Sequence, residues 1–131
     1  MIVHNVSDAL IARALDAEGW DYGHTPDGQI TTTFDAASFV VAVEGAEEEI
    51  LVVTGLIDAS FTDTAALDDV LDEWHRSRPW PKAWRDGDRV VTEVAGYFPA
   101  GLSLEQARTQ LRCAVGSTAA LAGRLAGELG R

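Results

Sequence analysis

"LDDVLDEWHRSRPWPKAW", residues 67–84, decides the fold, because one structural period ends inside it and another begins. Leu67, Val70, Leu71 and Trp74 fall on a single helical stripe, while Asp68, Asp69, Asp72 and Glu73 fall away from it. The spacing predicts a helix over residues 62–76 with a solvated acidic face. Pro79 ends that helix, since a proline pushes the residue before it out of the α region, and Pro81 prolongs the turn. From Lys82 the pattern is that of strands. "KAWRDGDRVVTEVAGYF" (82–98) reads as a hairpin around Asp86-Gly87, with Trp84, Val91 and Val94 as core or cross-strand contacts.

Toward the N-terminus, "SDALIARALDAE" (7–18) sets Leu10, Ile11, Ala14 and Leu15 on one helical face, with Ser7 as cap and Gly19 after the last turn. Strand signals follow. "GQITTTF" (28–34) comes after the turn pair Asp27-Gly28, "SFVVAV" (38–43) after the small break "DAA", and "EILVVTGLI" (49–57) after "EGAEE". Their β-branched residues, Thr31, Thr33, Val41 and Val53, suit a pleated surface. This is an antiparallel meander of three or four strands, with Trp20–Thr25 as the optional first.

Toward the C-terminus, Ser103 followed by Gln106 is a capping box. Leu104, Ala107, Leu111, Ala114, Val115, Thr118, Leu121 and Leu125 then continue one long helix without a proline. Its many Ala and Gly residues let another backbone, a sheet or a second chain, approach closely. The expected fold is a single α+β domain over residues 1–131: N-terminal helix, antiparallel β-meander, helix, β-hairpin, and a long C-terminal helix packed on one antiparallel sheet.

The net charge of −11 argues against nucleic-acid binding, which needs clustered Lys and Arg to neutralise phosphates. The charge is unevenly placed. Residues 1–73 hold 16 acids and one base, Arg13, whereas residues 74–131 hold five acids and nine bases. Either basic strands pair with acidic strands within one sheet, or the field steers a partner. No run of 18 apolar residues is present, and "MIVHNVSDALIARAL" lacks the pattern of a secretory signal, so neither membrane nor export is expected. A lone cysteine, Cys113, reads as a packed thiol and points to a reducing cytoplasm.

Catalytic signatures are missing. His4, His24 and His75 show no metal-ligand spacing, one cysteine is too few for a structural zinc site, and "RDGDR" (85–89) is a hairpin turn lacking a calcium-loop series. There is no phosphate-cradling glycine loop and no GxSxG. No enzyme, cofactor or metal is expected, and His75 reads as an exposed residue at a helix end.

Words within residues 67–112 resemble the YbjN family, small bacterial proteins described as sensory-transduction regulators. In that family a helix of the form L-x-x-x-x-N-x-W-N leads into a Lys-Ala-aromatic strand, then a strand often ending in an acid, then a long helix. Leu67, Leu71 and Trp74 match the helix, Lys82, Ala83 and Trp84 the strand start, and Glu93 the acid. Asp72 and His75 stand where the family usually has Asn. The resemblance implies an α+β fold similar to type III secretion chaperones, which usually dimerise and bind protein segments, and it implies no catalytic residues.

Three of the four tryptophans lie between residues 74 and 84. Trp74 completes the helix stripe and Trp84 is expected to face a helix, so both read as core. Trp80, set between prolines, follows neither period and is expected to be half-exposed. Aromatic and Arg side chains dominate protein-binding hot spots. Trp80 with Arg76, Arg78, Lys82, Arg85 and Arg89 is therefore the candidate partner surface. The expected function is a non-enzymatic, chaperone-like or regulatory module that binds a protein partner as a homodimer. A sensor holding a small anion in the cleft between the sheet and the last helix is the alternative, and an acidic mimic acting through residues 35–73 comes third.

Overall fold

Tight turns and one helical crossover lay six strands side by side. A computed structural model describes residues 2–35, 37–60 and 62–129. The elements run β1 (Val3–His4), α1 (Asp8–Glu18), β2 (Gly23–His24), β3 (Ile30–Phe34), β4 (Ala37–Glu44), β5 (Ile50–Asp58), α2 (Thr64–Ser77), β6 (Lys82–Asp86), β7 (Arg89–Tyr97), β8 (Leu102–Ser103) and α3 (Leu104–Leu129). The main sheet has the order β2-β3-β4-β5-β7-β6. Each neighbouring pair is antiparallel.

The caps form where the sequence sets them. Ser7 accepts a hydrogen bond from the Leu10 amide at 3.2 Å. Ser103 and Gln106 exchange reciprocal bonds, with Gln106 N–H donating to Ser103 Oγ at 3.1 Å and Ser103 N–H to Gln106 Oε1 at 2.7 Å. The second helix starts two residues later than its periodicity suggests, because Asp63 spends its carboxylate on the Ala66 amide at 3.1 Å. The optional first strand shrinks to Gly23–His24, which pairs only with Ile30 and Thr31. One pairing has no sequence signal: β1 and β8 join as a two-residue ladder that ties the N-terminus to the start of α3. Strands that short carry no readable period.

The 82–98 hairpin turns one residue later than expected. Asp86 pairs with Arg89, leaving Gly87 and Asp88 as the loop. Gly87 takes a positive φ of 61° and Asp88 does not, the pattern of a type II′ turn.

Register divides the sheet into two unlike faces. Phe39, Val41, Val53, Ile57 and Val90 share one face, and all are buried in a single core with Leu10, Leu15, Leu67, Trp74, Leu111 and Leu121 from the three helices. Val40, Val52, Leu56, Val91 and Trp84 share the other. Val52 and Val91 are buried but stand outside that core. The described residues thus form a two-layer α+β structure, with the helices on one side of the sheet. This overturns the expectation for Trp84, which is 40% exposed and faces away from the helices. Ala83 turns inward instead, and its small side chain leaves room for α2.

α3 lies directly on the strands. Thr118 Oγ1 and Thr92 Oγ1 meet in the core at 3.2 Å, above Gly55. A Cβ at Gly55 would stand 2.4 Å from Thr92 Oγ1 and about as close as contact permits to Phe39 and Thr118, so glycine is what lets the helix seat. At this point helix and sheet are in direct contact, which leaves no room for an anion between them here. Between helices, the nearly covered carboxylate of Glu18 accepts from Arg108 Nε and Arg112 Nη1, both at 2.6 Å. The Arg108 hydrogen bond is the main cause that holds the Glu18 carboxyl below its ordinary value, against an opposing push from burial.

Two outcomes follow. Gly55→Ala should lower unfolding stability by about 1–3 kcal/mol, the usual cost of overpacking, in a urea titration. Glu18 contributes stability above its unfolded-state value near 4.5 and loses it as pH falls through the lowered folded value. Glu18→Gln should therefore melt below wild type at pH 7, and the two melting curves should converge as the pH drops below 4.5.

Candidate functional site

The corner between α2 and β6 is anchored by Trp74, which is 1% exposed. Burying such a ring contributes on the order of 3 kcal/mol. Its Nε1 finds no hydrogen-bond partner among the described residues. Arg78 lays its guanidinium over the ring, 4.6 Å from the centroid. The backbone leaves the helix at Arg78, with φ −137° and ψ 140°, ahead of Pro79.

Two side-chain bonds strap α2 to the outer edge of β6. His75 Nε2 accepts from the Ala83 amide at 3.0 Å, and Arg85 Nε donates to Asp68 Oδ1 at 3.3 Å. Accepting at Nε2 requires a neutral ring that carries its proton on Nδ1. The Ala83 N–H points away from β7, so the imidazole occupies a donor that an edge strand otherwise offers to other chains. His75 is exposed, as expected of a helix end, but it has a task that spacing could not disclose.

The six residues named from sequence do not share one face. Trp80 is 48% exposed in the turn after α2. Arg76 stands on the last turn of α2, 3.5 Å from Glu73, and Arg78 stacks on Trp74. Lys82 lies 3.8 Å from Glu93 and 5.6 Å from the Trp84 ring, on the uncovered side of the sheet. Arg89 is on that side too, 3.5 Å from Asp86. Arg85 points to the opposite side, toward Asp68. The structure therefore separates a helix-end group, Arg76, Arg78 and Trp80, from an open-face group, Lys82, Trp84 and Arg89.

The uncovered sheet face was not anticipated. Val40 and Leu56 are half-buried at its middle, while Trp84 and Tyr97 are 40% and 70% exposed toward one side. On the other side a groove of about 420 Å³ is lined by Tyr22, Thr31, Thr33, Ser38 and Val40. Its signal was present in the alternation of β4 and β7, but both faces of those strands carry valines. Cys113 is partly buried, and burial pushes its thiol above the ordinary value, opposite to what activates a nucleophile.

No helix among the described residues is long and apolar enough to cross a membrane. Fold and surface together define a two-layer α+β protein whose outward features are exposed indoles, paired ions and a bare sheet. Residues 7–125 match the model of the YbjN family, described as "Putative bacterial sensory transduction regulator", and the chain belongs to that family of regulators. A solved structure with the same fold is "Crystal structure of YbjN, a putative transcription regulator from E. coli". It superposes with a TM-score of 0.75 over 98% of this chain and 97% of that one, at 12% sequence identity. No curated protein matches the chain.

His75→Leu should cost about 1 kcal/mol by orphaning the Ala83 amide, whereas His75→Gln, whose Oε1 can take the place of Nε2 as acceptor, should cost less. Amide hydrogen exchange at Ala83 checks this directly: it should quicken in His75→Leu, and an unchanged rate would show that the bond protects nothing.

Proposed function

We propose that this chain is a regulator without chemistry of its own, which binds a protein segment in the cytoplasm and works as a homodimer in a chaperone-like way. The docking surface is Trp80 with Arg76 and Arg78 at the end of α2, and Lys82, Arg85 and Arg89 on the following strands add positive field. One observation carries the reading: Trp80 leaves nearly half of its surface, 48%, in water, directly after a helix end that the chain holds firmly with Trp74. An exposed aromatic ring on a rigid base, with arginines beside it, is the kind of residue that supplies most of an interface's binding energy. Arginines beside it favour a segment that carries an apolar anchor and acidic neighbours.

The test is affinity capture from source lysate with wild type beside a Trp80→Ala, Arg78→Ala double variant, after both are shown to melt alike. A protein retained by wild type and lost by the variant is the expected outcome. If both baits retain the same partner equally, the Trp80 surface is not where it binds.

A further inference from the structure

We infer that the groove formed by β1, α1 and the start of α3 binds a free monocarboxylate with an unbranched acyl chain, and that Arg13 holds its carboxylate. The inference uses none of the Trp80 surface and goes beyond the protein-binding reading above.

The groove has a volume of about 580 Å³ and is lined by Ile2, His4, Arg13, Ser103, Leu104 and Glu105. That size lies within the range of small-ligand sites. Its accessible wall is mostly carbon. β1 is built into place: Val3 pairs with Ser103 and His4 with Leu102, and a Cβ at Gly101 would collide with the His4 carbonyl. This ladder holds Ile2 and Val3 in water, 76% and 50% exposed, where neither adds to the core. Leu104, partly buried against the core, adds its side chain to the same wall. An acyl chain covers such carbon and brings no backbone amides that need partners. A peptide would bring them, and a carbon wall leaves them unmatched.

Charge names the head group. Among the described Lys and Arg residues, Arg13 is the one with neither a carboxylate at ion-pair distance nor an aromatic ring beneath it. Its Nη1 instead stands 3.5 Å from His4 Nε2. Most of its five N–H donors are unused, and their planar fork matches a carboxylate. Buried Ser103 adds a second donor, because its Oγ accepts from the Gln106 amide while its O–H finds no acceptor among the described residues. Glu105, on the rim, is matched by Arg108 at 3.2 Å. The groove therefore presents one unmatched positive charge. Residues 1–73 carry 16 acids around it, so a polyanion such as a nucleotide is repelled where a single carboxylate is met. The same acidity turns away an anionic bilayer, which attracts clusters of Lys and Arg.

Calorimetric titration of the full chain with dodecanoate below its micelle concentration tests this, read together with amide NMR shifts. One dodecanoate should bind per chain and move the amides of Val3, His4, Arg13 and Leu104. Arg13→Ala should weaken binding by about 10-fold, the loss of a charge-assisted pair, and Ile2→Asp should weaken it too. Both side chains are exposed, so both variants should fold as wild type, which their melting curves check. Trp80→Ala should bind as wild type. Dodecyltrimethylammonium should leave the groove amides unmoved, although net charge alone would make a chain of −11 prefer the cation. Absence of binding up to millimolar dodecanoate overturns the inference. So does uptake of several molecules per chain, equal shifts with the cationic amphiphile, or binding that Arg13→Ala and Ile2→Asp both leave unchanged, since the acyl chain then covers exposed carbon elsewhere. Displacement of dodecanoate by a lower concentration of a peptide ending in a leucine carboxylate also overturns it, assigning the groove to a protein terminus.

Discussion

The ladder between β5 and β7 is the constraint on which the rest depends. Nine residue pairs, from Ile50 with Tyr97 to Asp58 with Arg89, join the N-terminal meander to the C-terminal hairpin. Without it the two halves would each be a small sheet with a long bare edge, and neither could hold α3. With it, Val53, Ile57 and Val90 make one apolar floor, and Gly55 with Thr92 leaves the shallow place where Thr118 sits. The pairing closes a loop of about thirty residues, so its entropy must be offset by contacts made together, among them the burial of α2 through Trp74.

That ladder also brings opposite charge together. The acidic first half and the basic second half become neighbours in one sheet, and Asp58 stands opposite Arg89. The cations of β6 and β7 are mostly held at distances of 3.3 to 3.8 Å by Asp68, Asp86 and Glu93, exposed pairs worth little individually. Tighter ionic contacts lie elsewhere, among them Glu18, which draws two arginines of α3 onto the end of α1. Ionic order in this chain thus serves helix packing more than it serves the surface around Trp80.

Much of the architecture was legible because local signals agreed with one another. Ser7, Ser103 and Gln106 cap the helices they were read to cap, and the stripe of Leu67, Val70, Leu71 and Trp74 is the buried stripe. The facing of the last hairpin was not legible. A strand's period fixes which residues share a side, but it does not say which side goes in. Val90, Val91 and Val94 put apolar residues on both sides of β7, and size favoured Trp84 as the inward residue. Packing decided otherwise: Ala83 lies inward where α2 approaches β6, and Trp84 takes the open side. The same closeness gives His75 its bond, a contact between residues eight apart that neither helical nor strand spacing encodes. Of the surface residues, the turn around Trp80 could be anticipated from its prolines, whereas the separation of Arg85 from Lys82 and Arg89 required the register.

The His75–Ala83 bond limits how the molecule can grow. A sheet with a free edge adds strands from neighbouring chains indefinitely, and such growth runs in the plane of the sheet toward fibrils. Here one outer strand has an outward amide already occupied and a helix strapped beside it, and the other outer strand is only two residues long. In-plane extension meets a shortened template at either end. The strap that holds α2 against β6 is thus also a guard, and the contact that fixes a helix inside the fold limits what can be added outside it.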